Sequence, residues 1–486
     1  MTKRLIILLF GGLCFLGSLT SQGQTKISLD QVHQLVLENS FAVKSAHLTK
    51  ELAEENFKFY KSQLKPTIGL SARIPNYIKT SVPITQQDGT IAFQSIRQSN
   101  ASLSANATKV LQKTGGTLFA SSDIQRFDDF SFNIKQYNGV PIRIGINQPL
   151  FGFNTWKYQK TIQRKLMEEA KLNYDVMIEE ALGTATDLYF NILISNQNLN
   201  IAQTNEVVNQ KLLRITEERL LLGKVSKDEK LQLEIELNNA KLSVSQAQLG
   251  KNRAIANLYT FLGMLAPNSE VTFEIPTQSV KTEINTEDLL NAYLKNRPEI
   301  LQYQIQLEEN KSDYAQTKAN FGFQANLLAS VGLARGSDLI SEIYTDPFDE
   351  QQINLSVQIP ILDWGKKKAA LAQIKVQQKN LNQQFEQLEL EIRNSIIQFV
   401  LVNQSLQNEI LLLKEIMKKA EERFDISNER YVLGNLDITN LTLAQREKDQ
   451  SKRNYINSLK TFWTSYYQLR ALSGFDIHTN SEINYQ

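Results

Sequence analysis

The chain has 486 residues, 42% hydrophobic and 21% charged, with 53 Lys and Arg set against 51 Asp and Glu. So even a balance excludes the basic stripe that nucleic-acid binding requires, and a single cysteine, Cys14, excludes a disulfide framework. The three histidines, His33, His47 and His478, are far apart and have no metal-ligand spacing, and no phosphate loop, nucleophile elbow or paired-carboxylate setting occurs, so the sequence offers no ground for an enzyme, a metal or a cofactor.

Residues 1–23 read as an export signal: Lys3 and Arg4, an apolar run from Leu5 to Leu16, then small Ser21 and Gly23 before Gln24. The run is short and broken by Gly11 and Gly12, which argues against a membrane anchor. Cys14 raises a lipid-modified N-terminus as an alternative, although Leu13 before it is not small. Without Lys3 and Arg4 the mature chain carries 51 cations and 51 carboxylates and no thiol.

A first structural repeat is expected over 24–266. It opens with a helix from Ser28 to Lys65 and passes into a β section over about 66–150. There Asp88-Gly89, Asp128-Asp129 and Asn138-Gly139 are turn signals, and Ile142, Ile144, Ile146 and Leu150 alternate with polar residues. A long helix follows over 154–222, with Gly183 its one interruption, then a turn at Gly223 and a second helix over 224–262. Residues 267–285, with Pro267 and Pro276, link to the second repeat over 286–474. That repeat runs through a helix over 287–320, a β section over about 321–361, a long helix over 366–433, a turn at Gly434 and a helix over 435–473, before a tail over 475–486.

The two halves align. Pro149–Gly263 recurs without a gap as Pro360–Gly474 at a shift of 211, which pairs Glu218-Arg219 with Glu429-Arg430 and Leu222-Gly223 with Leu433-Gly434. The opening helices align at a shift of 257, so the first β section is 46 residues longer. A repeat of this period is one architectural unit built twice. The excess contains Ala101–Val110, Gly115-Gly116 and Thr117–Ile124, which has the pattern of an additional strand pair.

The 68 residues from Lys366 to Leu433 lack Gly and Pro, which gives a helix of about 100 Å at 1.5 Å per residue. Its apolar seam, Leu381, Phe385, Leu388, Ile392, Phe399, Val402, Leu406, Ile410, Leu413, Met417, Ala420 and Phe424, has coiled-coil spacing, with a local stutter from Val402 to Ile410. The strands before each long helix, apolar on one face and polar on the other, suit a membrane barrel or a half-buried soluble sheet equally. Helices this long need partners along their whole length. In an exported chain that combination favours a helical tube continuous with a barrel, and four strands are too few to close an open channel, so copies must associate.

These residues resemble the TolC-like outer membrane efflux proteins. The resemblance rests on the tandem repeat, on Gln148-Pro149-Leu150-Phe151 and its echo Ile359-Pro360-Ile361-Leu362, and on the turns. Arg430-Tyr431-Val432-Leu433-Gly434 with Ile438-Thr439-Asn440-Leu441 resembles the family's tip, and Arg219-Leu220-Leu221-Leu222-Gly223 is its partner. It implies a mainly α protein with a membrane β-barrel, built as a homotrimer in outer membrane lipid. Each chain supplies long coiled-coil helices to a periplasmic tunnel and four strands to the barrel, or six if the excess adds a pair. It implies a passive exit duct served by a periplasmic adaptor and an inner-membrane efflux transporter. Where the family often places aspartates after the second tip, this chain has Asn440 and Leu443, while the first tip offers Asp228 and Glu229 as gate candidates or as helix caps. Leu222, Gly223, Val225, Leu433, Gly434 and Leu436 are the candidate adaptor contacts. The competing reading is a periplasmic or surface coiled-coil structural protein that conducts nothing.

Overall fold

The computed structural model describes residues 26–267, 271–276, 286–479 and 481–485. The expected signal over 1–23, Cys14, and most of the linker lie outside the described residues. The chain divides into two compact units. One gathers the residues up to Phe41 with Thr184–Ser279 and Glu409–Trp463; the other gathers Ala42–Gly183, Val280–Asn408 and the residues from Thr464.

The elements in order are β1 (Lys26–Ile27), α1 (Leu29–Asn39), α2 (Phe41–Gln63), β2 (Thr67–Thr85), β3 (Ile91–Val110), β4 (Thr117–Asp129), β5 (Ile134–Pro149), α3 (Thr155–Leu221), α4 (Lys227–Phe261) and β6 (Thr272–Phe273). The second half follows as α5 (Thr286–Asn296), α6 (Pro298–Asn320), β7 (Gln324–Ser337), a 3-10 turn (Ile340–Tyr344), β8 (Phe348–Gln358), α7 (Lys366–Leu433), α8 (Ile438–Ser473), β9 (Phe475–Asp476) and β10 (Ser481–Glu482). Each opening helix, expected to be single, is two. Pro298 stands at the start of α6 and holds Arg297 extended at φ −98°, ψ 133°. Ser40 makes the matching break at φ −64°, ψ 141°, its N–H donating back to Val36.

In the second unit β2, β3, β4, β5, β7 and β8 form one antiparallel six-stranded sheet in that order. Six is the larger of the two counts anticipated, and the pair β3–β4 comes from the 46-residue excess. Asn138 and Gly139, a turn signal in sequence, lie inside β5 opposite Gln125 and Ile124. Strong cross-strand pairing overrides the local turn preference there, and a register shift follows between Gly139 and Ile142.

Directly paired residues share a face of the sheet, so the register sorts the side chains. One face carries Ile68, Leu70 and Ala72 on β2; Ala101, Leu103, Ala105 and Ala107 on β3; and Leu118, Ala120 and Ile124 on β4. It continues through Ile142, Ile144 and Ile146 on β5, Leu327, Ala329, Val331 and Leu333 on β7, and Ile353, Leu355 and Val357 on β8. The polar exceptions are Lys109 on β3, Ser122 on β4, Gln148 on β5, and Asp349 and Gln351 on β8. Further along the strands the same face turns charged, with Arg97, Arg126, Lys135 and Arg335. The opposite face is mostly polar, with Phe119, Phe127 and Leu328 among its large apolar members, and Arg143 on β5 reaches across Gly332 on β7 to both carboxylate oxygens of Glu350 on β8 at 2.7 Å. A side chain at position 332 would meet the Ile142 carbonyl at 2.6 Å, so glycine keeps this bridge open.

The same unit is stapled at its C-terminal end. Arg470 on α8 binds Glu179 on α3 through two nitrogens at 2.8 and 2.9 Å and Asp476 on β9 at 2.9 Å. The Tyr485 hydroxyl donates to Glu179, and that of Tyr466 to Asp476 at 2.7 Å. Glu179 is 2% exposed. Burial alone would lower the Arg470 pKa, but the Glu179 carboxylate overrides it and holds the guanidinium charged.

In the first unit β1 pairs in parallel with β6. The Tyr189 hydroxyl on α3 lies 3.0 Å from the Ile27 carbonyl and 2.5 Å from that of Glu274, which anchors both short strands to the helix. His33 on α1 meets the Thr186 hydroxyl at 2.9 Å, a packing role.

Along α7 the buried residues are Ile374, Ile392, Ile396, Val400, Asn403, Leu406, Ile410, Phe424 and Tyr431. Val402, expected in the seam, is 45% exposed, and Asn403 takes its place. The successive steps of four therefore run Ile392–Ile396–Val400, upstream of the expected stutter. One eighteen-residue window of α7 reaches a mean hydropathy of 1.2, but Gln398, Asn403, Gln404, Gln407 and Asn408 break up the apolar residues of this part of the helix.

Removing Arg470 leaves Glu179 charged and buried without its main partner, so Arg470→Ala should destabilise this unit by about 3–5 kcal/mol. Arg470→Lys should recover only part, because an ammonium cannot make the two-pronged contact. Thermal unfolding followed by circular dichroism measures both. Asp476 adds a pH signature. Burial alone would raise its pKa, but the Tyr466 hydrogen bond and the Arg470 charge hold it lowered. Its contribution is therefore present above the ordinary carboxylate pKa and is lost as acid titrates it; Asp476→Asn should flatten the acid limb of the stability profile.

Candidate functional site: the paired helix turns

The turns after α3 and α7 close in the same way. At the first, Gly223 sits at φ +67°; its N–H bonds Leu220 O and that of Lys224 bonds Arg219 O, both at 2.9 Å. At the second, Gly434 at φ +85° bonds Tyr431 O and Asn435 bonds Arg430 O, again both at 2.9 Å. This is the Schellman closure, which satisfies the last helical carbonyls and needs a left-handed residue that glycine adopts without a Cβ penalty.

The next helices start with caps. Ser226 accepts the Glu229 N–H at 3.1 Å, and Asp437 accepts the Asn440 N–H at 2.8 Å. Hydrogen bonds from Asn440 hold the Asp437 pKa below its ordinary value.

Between the turns lies a connected set of polar groups. Tyr431 is fully buried, with its hydroxyl 2.9 Å from that of Thr216 and donating to Glu229 Oε1 at 3.0 Å. Burial pushes the Tyr431 pKa up to about 12, so the phenol stays a proton donor throughout the neutral range. Arg219 reaches from the first turn to the Tyr431 carbonyl at 3.0 Å and the Val432 carbonyl at 2.6 Å, and its guanidinium lies 5.7 Å from the Tyr431 ring centre. A cation there complements the carbonyl end of α7. Beneath this set, Leu212, Leu233, Phe424, Ile438 and Leu441 form an apolar cluster with Tyr431. A little further along α8, Lys448 is buried 3.9 Å from the Phe424 ring centre, and burial lowers its pKa. Its neighbour Asp449 accepts a hydrogen bond from Asn205 at 2.6 Å.

An open groove of about 860 Å³ runs between the turns, and five of the six candidate adaptor contacts line it: Leu222, Val225, Leu433, Gly434 and Leu436. Leu222 and Leu433 are 69% and 73% exposed, while Leu436 packs on the apolar cluster. Gly223 has open space around it. Of the four gate candidates, Glu229 joins the Tyr431 set and Asn440 joins Asp437. Asp228 and Leu443 are exposed and enter neither. Thr216 and Asp437 are members that the sequence did not single out, while Tyr431 and Arg219 stood in the two tip motifs without a role of their own. The available signal was the repeat itself, because Tyr431 stands where the first repeat has Leu220.

Among known proteins, residues 32–264 and 289–475 match the outer membrane efflux protein family. A curated relative, toxin and drug export protein A of Aggregatibacter actinomycetemcomitans, is 24% identical over 252 residues, which is 48% of this chain and 52% of that protein. The chain therefore spans about half the length of this relative. Two solved structures share the fold. The VceC outer membrane protein of Vibrio cholerae has a TM-score of 0.65 at 14% identity, covering 92% of this chain and 96% of that one. The CmeC outer membrane channel of Campylobacter jejuni has a TM-score of 0.64 at 15% identity, covering 92% and 85%. With both halves of its tandem repeat matched, the chain belongs to the outer membrane efflux protein family.

Proposed function

We propose that this chain forms an exit duct through the outer membrane of a Gram-negative cell. Copies assemble as a homotrimer with the helices in the periplasm, and substrates arrive from an inner-membrane transporter through a periplasmic adaptor. The duct performs no chemistry; it supplies a path and a gate. The observation that carries this reading is the sheet, apolar on one face of every strand and polar on the other, as a barrel wall between lipid and water requires. The curated relative's name, toxin and drug export protein A, supports export as the task.

The groove between the helix turns is the surface we assign to the adaptor, with Leu222 and Leu433 as its exposed apolar contacts. The set around Tyr431 is the latch of the gate, since it joins the end of α7 to the first turn through a few hydrogen bonds that can part together. Asp228 and Leu443, both exposed, belong to the narrow mouth that the latch controls, while Asn440 is held by Asp437, the cap of α8.

In planar bilayers the purified protein should form channels with ion conductance; a protein that stays soluble and conducts nothing would overturn the duct. Tyr431→Phe removes a hydroxyl–carboxylate bond worth about 1.5 kcal/mol, a shift of about tenfold in the ratio of open to closed channels. Single-channel recording reads that change, and an unaltered open probability would make Tyr431 a packing residue only. Glycine replacements at 223 and 434 would also strain the turns at positive φ, so Leu222→Glu with Leu433→Glu tests the groove more cleanly. That double variant should abolish efflux complementation while assembly and conductance persist; retained efflux would remove the groove from the adaptor interface.

A further inference from the structure

We propose that the cations at the hairpin end of the sheet, centred on Lys79 and Arg97, bind the phosphate groups of outer-leaflet lipids whose acyl chains lie along the apolar band below. This rests on the exit-duct reading, which puts that face of the sheet against lipid and that end of the strands at the cell surface.

The case begins with a like-charge pair. Lys79 on β2 and Arg97 on β3 stand directly opposite each other, on the face that carries Leu70 and Leu103. Such a pairing puts their Cβ atoms about 5 Å apart and is destabilising for two charges of one sign. Nothing acidic relieves it. Both residues are exposed, and among the described residues neither has a carboxylate within ion-pair reach.

The neighbouring strands add to the surplus. On the same face β4 and β5 carry Arg126, Asp128 and Lys135. Arg126 already engages Asp128 at 2.8 Å, and Asp129 is buried, accepting the Ser131 N–H at 2.8 Å. At this end of β2–β5, four cations thus face outward against one paired carboxylate. A phosphate, which accepts hydrogen bonds from several cations at once, is the group that such a surface lacks.

The bulge in β2 brings Lys79 into the group. Ile74 and Pro75 share one position opposite β3, and beyond them the alternation inverts, so Tyr77 and Lys79 stand on the face that carried Ile68 and Leu70. In unbroken alternation Ile78 would face that way and Lys79 the polar side. A bulge that re-aims a side chain in this manner is a device for placing it, and here it exchanges an apolar residue for a cation.

The level along the strands fits a headgroup. From Ala107 to Ala101 the apolar face spans six residue steps, about 20 Å at 3.4 Å each, close to the apolar height of about 25 Å that membrane barrels present. Tyr77 and Phe130, 58 and 50% exposed with ring centres 5.8 Å apart, mark its end, as aromatic residues do at a lipid–water boundary. Lys135 shares the row of Tyr77 and lies 5.3 Å from the Tyr137 ring centre. Lys79 and Arg97 come two residues further on, about 7 Å, where phosphates begin. A soluble anion would meet the cations alone, whereas a lipid phosphate uses cations and apolar band together.

The full-length channel in phosphatidylcholine vesicles reports its lipid contacts through spin-labelled phosphatidic acid and spin-labelled phosphatidylcholine. The wild type should select phosphatidic acid, and excess inorganic phosphate should leave that preference in place. A cation near an anionic surface contributes roughly fivefold, so Lys79→Gln should lower the preference about fivefold, as should Lys135→Gln on a separate strand. Lys79→Gln with Arg97→Gln should bring it close to unity, and Lys79→Arg should keep it. Lys211→Gln with Lys241→Gln, which removes the same charge from exposed positions on α3 and α4, should also keep it. An unchanged preference in the 79/97 double variant, with channels still conducting, would overturn the lipid site and leave the duct intact. Displacement of phosphatidic acid by inorganic phosphate would reduce it to a site for free anions. Loss of the oligomer in that variant at unchanged preference would give the two cations to a neighbouring copy instead. Conductance absent from the wild type, with neither label immobilised, would sink the duct itself.

Discussion

A peptide group buried away from water must find a hydrogen-bond partner, and this constraint decides what the chain can be. The six-stranded sheet satisfies its inner strands and leaves two edges open while presenting apolar side chains on one face of all of them. In water that face is unfavourable; in lipid the edges are. Among the described residues neither edge has a partner, and on the function proposed above continuation of the ladder into another copy would satisfy face and edges together. Glycine at 332 follows from the same economy of space, because the polar face has to accommodate the Arg143–Glu350 bridge across a strand.

The helical half has the same incompleteness in another form. On α4 Leu231, Ile235, Leu242 and Leu249 are 46, 61, 57 and 54% exposed. Their spacing of four, then seven, then seven is that of a coiled-coil seam, so they form a stripe left exposed among the described residues. A helix of 35 residues such as α4 gains little from propensity and draws its stability from such faces. Sheet and helices thus ask independently for further copies, which is why the protomer looks unfinished when taken alone.

What the sequence made legible was whatever rests on periodicity and on backbone punctuation. Gly223 and Gly434 stop their helices because a left-handed closure is a local event that one residue type announces. Pro298 announced a break as plainly, and a long apolar period masked it. Ser40, which makes the matching break, is of a type favoured before a helix start but one too common to mark a break inside a long periodic run. Asn138-Gly139 shows the reverse, a strong turn signal overruled by two neighbouring strands. Val402 and Asn403 exchange seam positions because apolarity alone cannot tell which of two adjacent residues faces inward. The Tyr431 set joins residues more than 200 positions apart, and nothing in the local pattern of either turn reveals that they meet.

The duplication supplies two turns with one geometry, and function requires them to differ. Tyr431 replaces Leu220 of the other repeat, and its hydroxyl turns a packing position into the hub of Thr216 and Glu229. Arg219 spans to carbonyls of the partner turn, whereas its counterpart Arg430 reaches only Asn435 within its own, at 3.4 Å. The contacts are therefore asymmetric: Arg219 reaches the end of α7 and Tyr431 there reaches back to Thr216 and Glu229, while Arg430 stays within its own turn. Because Tyr431 titrates only far above neutrality, its part in the latch does not respond to ordinary changes in acidity. On the function proposed above, a docking protein that inserts between Leu222 and Leu433 would release the turn by competing for the groove or pulling on α7.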